Sequence, residues 1–266
     1  MIDCFDHTVQ QRIGAAERVW LFLDYDGTLA DFAPTPDDIL PDAELIDLLT
    51  ALARTPRLRV AVVSGRRLAH IQQLVPVPGI LLAGTYGIEV QLADGTLANR
   101  LPLGEVRPTI DAVKQLWTAE LAGHGGFFLE DKGWTLAIHA KDADPAVGAR
   151  VLASAEQGAR HVLRDAPPDR FRILGGDRFL ELGPTIAHKG ETVRHLLHTF
   201  AWPDALPVYL GDDDKDEEAF DVIADAGGLA LMVATAPRPT KAVCRLESPQ
   251  ATRRWLATLL AQPLAS

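Results

Sequence analysis

Four short runs of apolar residues recur along the chain, and each predicts a buried β-strand. They read VWLFLDYD (19–26), LRVAVVSG (58–65), PVYLGDD (207–213) and GLALMVA (228–234). Apolar residues are continuous rather than alternating in these runs, as in parallel strands that are covered on both faces. A stretch with leucines at helical spacing, 41–55, separates the first two runs. The pattern therefore predicts βαβ units and an α/β fold with a doubly wound, mainly parallel sheet.

Weaker signals place further elements of this core. Asp94-Gly95 is a common hairpin turn and predicts a hairpin within 88–99. The other predicted elements are a helix at 66–75, a strand at 80–84, a helix at 188–200 and a closing helix at 249–262.

The pattern changes between about residues 105 and 182. Helical stretches at 108–122 and 145–158 are each followed by two short strand-like runs, so that one helix and two antiparallel strands occur twice. This repetition predicts a small α+β domain. We expect it to span 105–182, inserted into a core made of 1–104 and 183–266.

Composition and charge narrow the class of protein. The chain has 266 residues, of which 47% are hydrophobic and 23% charged, enough for a sizeable core. Its 26 Lys and Arg against 36 Asp and Glu give a net charge of −10, which disfavours nucleic-acid binding. Cys4 and Cys244 lie far apart and lack metal-ligand spacing, and no apolar run could span a bilayer. We therefore expect reduced cysteines and a soluble, cytoplasmic monomer without a membrane partner.

Polar residues follow three of the predicted strands. Asp24 and Asp26 end the first run, Ser64 ends the second, and the acidic segment GDDDKDEE (211–218) follows the third. Taken singly, Ser64 is explained by a turn and the acidic segment by a solvated loop. Asp24, however, continues an apolar run, where its charge needs compensation. Because ligands bind beyond the carboxyl ends of strands in open α/β sheets, these residues together predict a site.

The residue types in this predicted site suit phosphoryl transfer. A carboxylate such as Asp24 can attack phosphorus and form an aspartyl-phosphate. Its charge would repel a phosphate, so a hard cation such as Mg²⁺, held by Asp24 and Asp212, is expected between them. Asp26 can protonate the leaving group, and Thr28, Ser64 and a lysine can bind the phosphoryl oxygens.

The motifs resemble those of the haloacid dehalogenase superfamily of phosphatases, which has a Rossmann-like core. DYDGT, VVSG, HKGETV and GDDDKDEEAF are similar to its first, second, third and fourth motifs. The resemblance implies Asp24 as nucleophile, Asp26 as acid and base, and Lys189 as the residue that neutralises charge. It also implies phosphate binding by Thr28, Ser64 and Gly65, and a Mg²⁺ site formed by Asp24, the Asp26 carbonyl and Asp212, with Asp213 and Asp216 steadying it.

Within that superfamily the chain is most similar to the trehalose-6-phosphate phosphatase family. The similarity rests on SGR at 64–66, GTYGIE at 84–89, LEDKGWTLAIH at 129–139 and LELGPTIAHKGE at 180–191. It implies that the insertion is a cap domain and that a sugar phosphate is the substrate. The substrate-binding residues that follow from it are Arg66, Glu89, Lys132 and Glu181. The chain departs from the family pattern at Thr85-Tyr86, at His188 and at Lys215.

Three alternative functions remain open from the sequence. One is a phosphatase for another glycosyl phosphate, such as mannosyl- or glucosyl-3-phosphoglycerate or sucrose phosphate. A receiver-type signalling module also holds an aspartyl-phosphate, although Asp26 argues against it because this second acid promotes hydrolysis. The third is a non-catalytic sugar-binding relative.

Several histidines and one tryptophan also need an interpretation. We interpret His188, His195 and His198 as part of a solvated helix face rather than a zinc site, because further ligands are lacking. His139 and Trp134 could be either packing residues or sugar contacts.

Overall fold

The computed structural model describes residues 2–32, 39–167, 169–176 and 178–261. The described residues form two compact units. The second unit is Asn99–Ala187, which contains the predicted insertion, and the first unit comprises the residues on either side of it.

The first unit is built on a nine-stranded sheet. Its strands, in the order β1-β13-β12-β11-β2-β3-β4-β5-β6 across the sheet, have the following bounds: β1 Ile2–Asp3, β2 Arg18–Leu23, β3 Leu58–Val63, β4 Leu81–Gly84, β5 Glu89–Gln91, β6 Leu97–Asn99, β11 Ala205–Gly211, β12 Leu229–Val233 and β13 Cys244–Leu246. Every neighbouring pair from β1 to β4 is parallel, and β5 is antiparallel to β4. The predicted doubly wound, mainly parallel sheet is confirmed.

Helices cover this sheet on both faces. They are α1 His7–Gly14, α2 Ala43–Arg54, α3 Leu68–Leu74, α6 Lys189–Thr199, α7 Asp214–Asp225 and α8 Pro249–Thr258. The side chains of β2 alternate between two hydrophobic clusters. Leu21 and Leu23 belong to one cluster, and Trp20 and Phe22 belong to the other. This arrangement explains the continuous apolar run, since a strand buried on both faces needs no polar positions. The predicted C-terminal helix ends earlier, at Thr258, and residue 262 lies outside the described residues.

The second unit has two helices on one face of a four-stranded antiparallel sheet. The elements are α4 Leu103–Leu121, β7 Phe128–Asp131, β8 Leu136–His139, α5 Pro145–Leu163, β9 Phe171–Gly176 and β10 Phe179–Pro184, and the strand order is β7-β8-β10-β9. Helix α4 begins five residues before the predicted start at 108, with Pro108 inside it. The buried stripe of Val106, Ile110, Val113 and Trp117 explains the longer helix, since Val106 lies one helical turn before Ile110 and extends the apolar face to the other side of Pro108.

The expectation of reduced cysteines was wrong. Cys4 and Cys244 form a disulfide, and their Cα atoms lie 5.0 Å apart although 240 positions separate them in sequence. The contact arises because β1 pairs in parallel with β13, placing Ile2 opposite Cys244. Distance along the chain therefore carried no information about this pair.

Among the described residues, no helix combines the length and the apolar character needed to cross a bilayer. The cytoplasmic location and the monomeric state stay predictions. The cytoplasmic location was expected partly because the cysteines were expected to be reduced. The disulfide removes that reason, since disulfides are uncommon in reducing compartments.

Candidate active site

Three neighbouring parallel strands bring the predicted polar residues to one edge of the sheet. Strand β2 ends at Leu23, β3 at Val63 and β11 at Gly211, so the next residues are Asp24, Ser64 and Asp212. The three strands are adjacent in the order β11-β2-β3. Because parallel strands end at the same edge, side chains that are distant in sequence meet there.

Asp24 faces a buried lysine. The side chain of Asp24 is almost inaccessible to solvent, and its Oδ1 lies 3.0 Å from the Nζ of Lys189, the first residue of α6. The same Nζ donates to Oδ1 of Asp216 at 2.7 Å. Burial alone would lower the pKa of Lys189, but attraction to Asp216 and Asp24 raises it well above its usual value. Lys189 is therefore a fixed positive charge beside the predicted nucleophile.

Asp24, Asp212 and Asp216 form a compact cluster whose ligand oxygens all lie within 4.8 Å of one another. Burial raises the pKa of Asp24 and of Asp216 well above the usual range. Burial, together with repulsion from Asp216 and Asp213, raises the pKa of Asp212 to about 7. Three carboxyl groups lie close together here with one lysine, and burial resists their ionisation without a further cation. Because all the possible ligand atoms are carboxylate oxygens, the residues present fit a hard divalent cation.

Asp216 organises the segment that follows β11. Its carboxylate accepts hydrogen bonds from the Tyr209 hydroxyl at 2.6 Å, and from the backbone N–H groups of Asp212 at 3.0 Å and Asp213 at 3.1 Å. Asp213 in turn caps α7, in a reciprocal capping box with Asp216. Tyr209 was not among the predicted site residues. Its available signal was a hydroxyl inside a buried apolar run, which needs a partner.

The loop after β2 packs closely against Asp212. Gly27 has a positive φ of 76°, and a Cβ at this position would overlap the Asp212 carboxylate. The next residue, Thr28, is fully buried and its hydroxyl lies 3.3 Å from Oδ1 of Asp212. The structure thus brings Thr28 into the acid cluster, while its role as a phosphate ligand stays a prediction.

Asp26 is paired with Arg66. The guanidinium donates two hydrogen bonds to the Asp26 carboxylate, both at 2.7 Å, which is the bidentate geometry expected of an arginine and a carboxylate. Arg66 also contacts the ring of His70, and its backbone N–H donates to the Ser64 hydroxyl at 3.1 Å. Asp26, the predicted acid and base, and Arg66, a predicted substrate-binding residue, therefore lie in direct contact. Both are beside the predicted phosphate-binding residues Ser64 and Gly65.

Glu89 supports a turn behind this loop. Its carboxylate accepts from the Thr85 hydroxyl at 2.6 Å and from the Leu68 backbone at 3.2 Å. Thr85 and Tyr86 both have positive φ, 49° and 54°, which is uncommon for residues with a side chain. The structure thus places Glu89 as a support of this turn, and its predicted contact with substrate stays a prediction.

A separate polar cluster lies on the sheet of the second unit. The Nζ of Lys132 donates to Glu181 at 3.1 Å and lies 3.6 Å from Glu130. Thr135 donates to Glu181 at 3.2 Å, and His139 is 2.9 Å from Glu130. Attraction to the two glutamates outweighs burial and raises the pKa of Lys132, so the lysine is charged. The structure therefore joins the two predicted residues, Lys132 and Glu181, in one cluster.

Glu130 was not among the predicted site residues, because its place beside Glu181 depends on how three strands pair. Glu130 is opposite Ala137, which is opposite Glu181, so the two glutamates share one row across three strands. His139 contacts Glu130 and lies between the rings of Phe128 and Phe179, at centroid distances of 5.9 and 5.3 Å.

The structure also describes the surroundings of the other open residues. Trp134 is a packing residue, because it is buried and its indole N–H donates to the carbonyl of Leu101 at 3.0 Å. Nδ1 of His188 lies 3.0 Å from Glu218, and His188 caps α6. In the described part of the chain, the group of possible metal ligands consists of the three aspartates and includes no histidine.

The doubly wound sheet, with a buried aspartate after β2 and further acids after β11, has the architecture of the haloacid dehalogenase class. The solved structure of the Candida albicans trehalose-6-phosphate phosphatase C-terminal domain matches this fold with a TM-score of 0.82, at 20% identity, over 99% of each chain. A family model described as trehalose-phosphatase matches residues 22–250. The chain therefore belongs to the trehalose-phosphatase family, which confirms the resemblance found in the sequence.

Two curated relatives give the extent of the similarity. The trehalose-phosphate phosphatase of Mycobacterium marinum is 33% identical over 254 residues, which cover 91% of this chain and 61% of that protein. Trehalose-phosphate phosphatase B of Arabidopsis thaliana is 29% identical over 272 residues, covering 97% of this chain and 70% of that protein. The chain thus spans about three fifths of the length of the mycobacterial relative.

Proposed function

We propose that the chain is a phosphatase that hydrolyses trehalose 6-phosphate to trehalose and inorganic phosphate. The observation that carries this proposal is the buried Asp24, which lies 3.0 Å from the Lys189 ammonium at the carboxyl edge of the sheet. A buried carboxylate beside a fixed cation and an acid cluster is suited to covalent phosphoryl transfer. The substrate is inferred from the family and from the names of the relatives.

In the proposed first step, a carboxylate oxygen of Asp24 attacks the phosphorus and forms an aspartyl-phosphate. The bond between phosphorus and the sugar oxygen breaks, and Asp26 gives its proton to the departing alkoxide. Lys189 stabilises the negative charge of the transferring phosphoryl group. Arg66, which holds Asp26 in the structure, would have to exchange this partner for the substrate before Asp26 can act.

In the second step, Asp26 takes a proton from a water molecule that attacks the same phosphorus. The bond between phosphorus and Asp24 breaks, which releases inorganic phosphate and restores the carboxylate. The phosphoryl oxygens would be bound by Thr28, Ser64 and the backbone of Gly65 in both steps. The same residues therefore serve both halves of the reaction.

We propose Mg²⁺ as the cofactor, held by Asp24, Asp212 and the Asp26 carbonyl, with Asp213 and Asp216 steadying them. When bound, it would neutralise the repulsion between these carboxylates and the phosphate. The fit of the residues supports this choice, since the oxygen donors of the cluster lie within 4.8 Å of one another.

Recognition of the sugar is assigned to charged residues. Lys132 and Glu181, which bond to each other, are suited to hydroxyl groups because an ammonium donates hydrogen bonds and a carboxylate accepts them. Arg66 and Glu89 are proposed as substrate-binding residues of the core. The proposed domain roles follow, with 105–182 as the cap domain and with 1–104 and 183–266 as the phosphatase core.

The test is phosphate release from a panel of trehalose 6-phosphate, sucrose 6-phosphate, mannosyl- and glucosyl-3-phosphoglycerate and an aryl phosphate, with Mg²⁺. We expect trehalose 6-phosphate to have the highest kcat/KM. Asp24→Asn should abolish turnover, while the matched control Asp47→Asn, which changes an exposed residue of α2, should not.

Three outcomes would contradict the proposal at different levels. Preference for another glycosyl phosphate would replace the substrate and keep the chemistry. Normal turnover by Asp24→Asn would refute the nucleophile. Absence of turnover of every ester would favour a non-catalytic sugar-binding protein, or a receiver-type module if the chain still became phosphorylated.

A further inference from the structure

A three-residue turn that connects β4 to β5, Thr85–Gly87, contacts three segments of the candidate site. The backbone N–H of Thr85 donates to the carbonyl of Arg66 at 2.7 Å, and that of Tyr86 donates to Ser64 at 2.8 Å. The carbonyl of Tyr86 accepts from the Thr192 hydroxyl of α6 at 2.6 Å. The turn therefore joins the loop after β3 to the helix that carries Lys189.

The side chain of Tyr86 makes the third contact. Its hydroxyl accepts a hydrogen bond from Nζ of Lys215 at 2.7 Å, and Nζ lies 4.9 Å from the ring centroid. Lys215 is in the first turn of α7, directly before Asp216. A lysine is unfavourable near the positive end of a helix dipole, so its presence there needs a partner such as Tyr86.

The ring of Tyr86 lies directly against Gly65. A Cβ built on Gly65 would be 2.8 Å from the ring atoms Cε1 and Cζ, closer than real side chains approach. Tyr86 itself is only 4% exposed. The ring therefore fixes the position of the backbone that the proposed function assigns to phosphate binding.

The conformation of this turn also points to a positioning role. Both Thr85 and Tyr86 have left-handed backbone angles, and such angles cost about 1–3 kcal/mol for residues with a side chain. Gly87 follows with φ of 86°, where a side chain would overlap Thr192. Strained backbone persists only where its surroundings hold it, as the bonds to Ser64, Arg66 and Thr192 do here.

We propose that Tyr86, held by Lys215, is a positioning residue that fixes the phosphate-binding loop Ser64–Arg66 relative to α6 and α7. Tyr86 and Lys215 act as one unit, because the hydroxyl bond and the ring contact hold both in place. This inference rests on the proposed function, in which the loop binds the phosphoryl group.

The test uses Tyr86→Phe, Lys215→Met and the double variant, with Lys241→Met as the matched control. Tyr86→Phe keeps the ring on Gly65 and removes the bond to Lys215. Lys241 is a half-exposed lysine that lies outside α7 and pairs with Asp221 of that helix. The measurements are the KM for an aryl phosphate, the inhibition constant of inorganic phosphate, and the Tm.

Each single variant should raise the KM and the inhibition constant roughly fivefold to tenfold, as expected for losing one charge-assisted hydrogen bond. The double variant should lose no more than about twofold beyond either single variant, because the two residues make one interaction. Lys241→Met should match the unaltered protein. A purely structural role would lower the Tm and the maximal rate but leave both constants unchanged, since they do not depend on the amount of folded enzyme.

The inference is overturned if both constants are unchanged in the single variants, or if the losses multiply in the double variant. It is also overturned if Lys215→Met weakens phosphate binding and Tyr86→Phe does not, because the lysine would then act on the ligand directly. If the unaltered protein neither hydrolyses the aryl ester nor is inhibited by phosphate, the proposed function fails together with this inference. If it does both and the variants match it, only the positioning role fails.

Discussion

Asp212→Asn is expected to remove a defined part of the pH dependence of stability in the metal-free protein. Burial and the neighbouring carboxylates raise the pKa of Asp212 from 3.8 to about 7 in the folded protein. The folded form thus holds this proton more tightly than the unfolded chain does. The stabilisation is complete below the unfolded pKa and is lost as the pH rises through the folded pKa.

The size of the effect follows from the shift. About three pKa units correspond to about 4 kcal/mol in the free energy of unfolding, and solvent screening of this partly exposed side chain reduces it to about 2 kcal/mol. Roughly 1 kcal/mol of this falls between about pH 5 and about pH 8. For a chain of this length, the corresponding change in Tm is about 2–4 °C.

The assay is thermal unfolding in EDTA, followed by circular dichroism, at about pH 5 and about pH 8. The Tm of Asp212→Asn minus that of the unaltered protein should be about 2–4 °C larger at the higher pH. Asp47→Asn, which changes an exposed aspartate, should show no such trend. Mg²⁺ should raise the Tm of the unaltered protein more than that of the Asp212 variant, because only the former keeps the full carboxylate set. A Tm difference that stays constant or shrinks with pH would refute the reasoning.

Further predictions concern the other parts of the molecule. Asp26→Asn should reduce kcat far more for a sugar phosphate than for an activated aryl phosphate, whose leaving group needs little protonation; equal losses would contradict its role as the acid. Lys189→Met leaves buried carboxylates without their positive partner, so we expect the Tm to fall by about 10 °C. Turnover should also fall, even at saturating Mg²⁺. A Tm within error of the unaltered protein would exclude a charged buried lysine. Glu181→Ala should cut kcat/KM for trehalose 6-phosphate by about tenfold or more and leave the aryl phosphate nearly unchanged; equal losses would make Glu181 a structural residue. Thiol titration of the denatured, unreduced chain should find neither Cys4 nor Cys244 free, and titration of two thiols would contradict the disulfide.

The core fold and its motifs were predictable because local signals determine them. A strand buried on both faces needs a continuous apolar run, and each run identified one parallel strand. Parallel neighbours end at one edge, so Asp24, Ser64 and Asp212 could be placed together without knowing any distance. The position of Lys189 opposite Asp24 came from the family resemblance, because its residue spacing from the strands carries no geometric information.

Contacts that depend on the register of distant strands were not predictable in the same way. Glu130 joins Lys132 and Glu181 only because β8 lies between β7 and β10 with a particular pairing. The disulfide between Cys4 and Cys244 depends on β1 pairing with β13, and a two-residue strand has almost no sequence signal. In each case the missing information was which strands are neighbours.

Local rules also fail where the structure departs from what its residues prefer. A β-branched threonine and a tyrosine favour extended backbone, yet Thr85 and Tyr86 are both left-handed. Each would cost about 1–3 kcal/mol, which the hydrogen bonds to Ser64, Arg66 and Thr192 must offset. Glycine or asparagine at these positions would lower the strain but would lack the ring that contacts Gly65. The turn is therefore less stable locally, but it fixes the loop Ser64–Arg66. Such an arrangement is expected beside a site that must hold a small anion in one orientation.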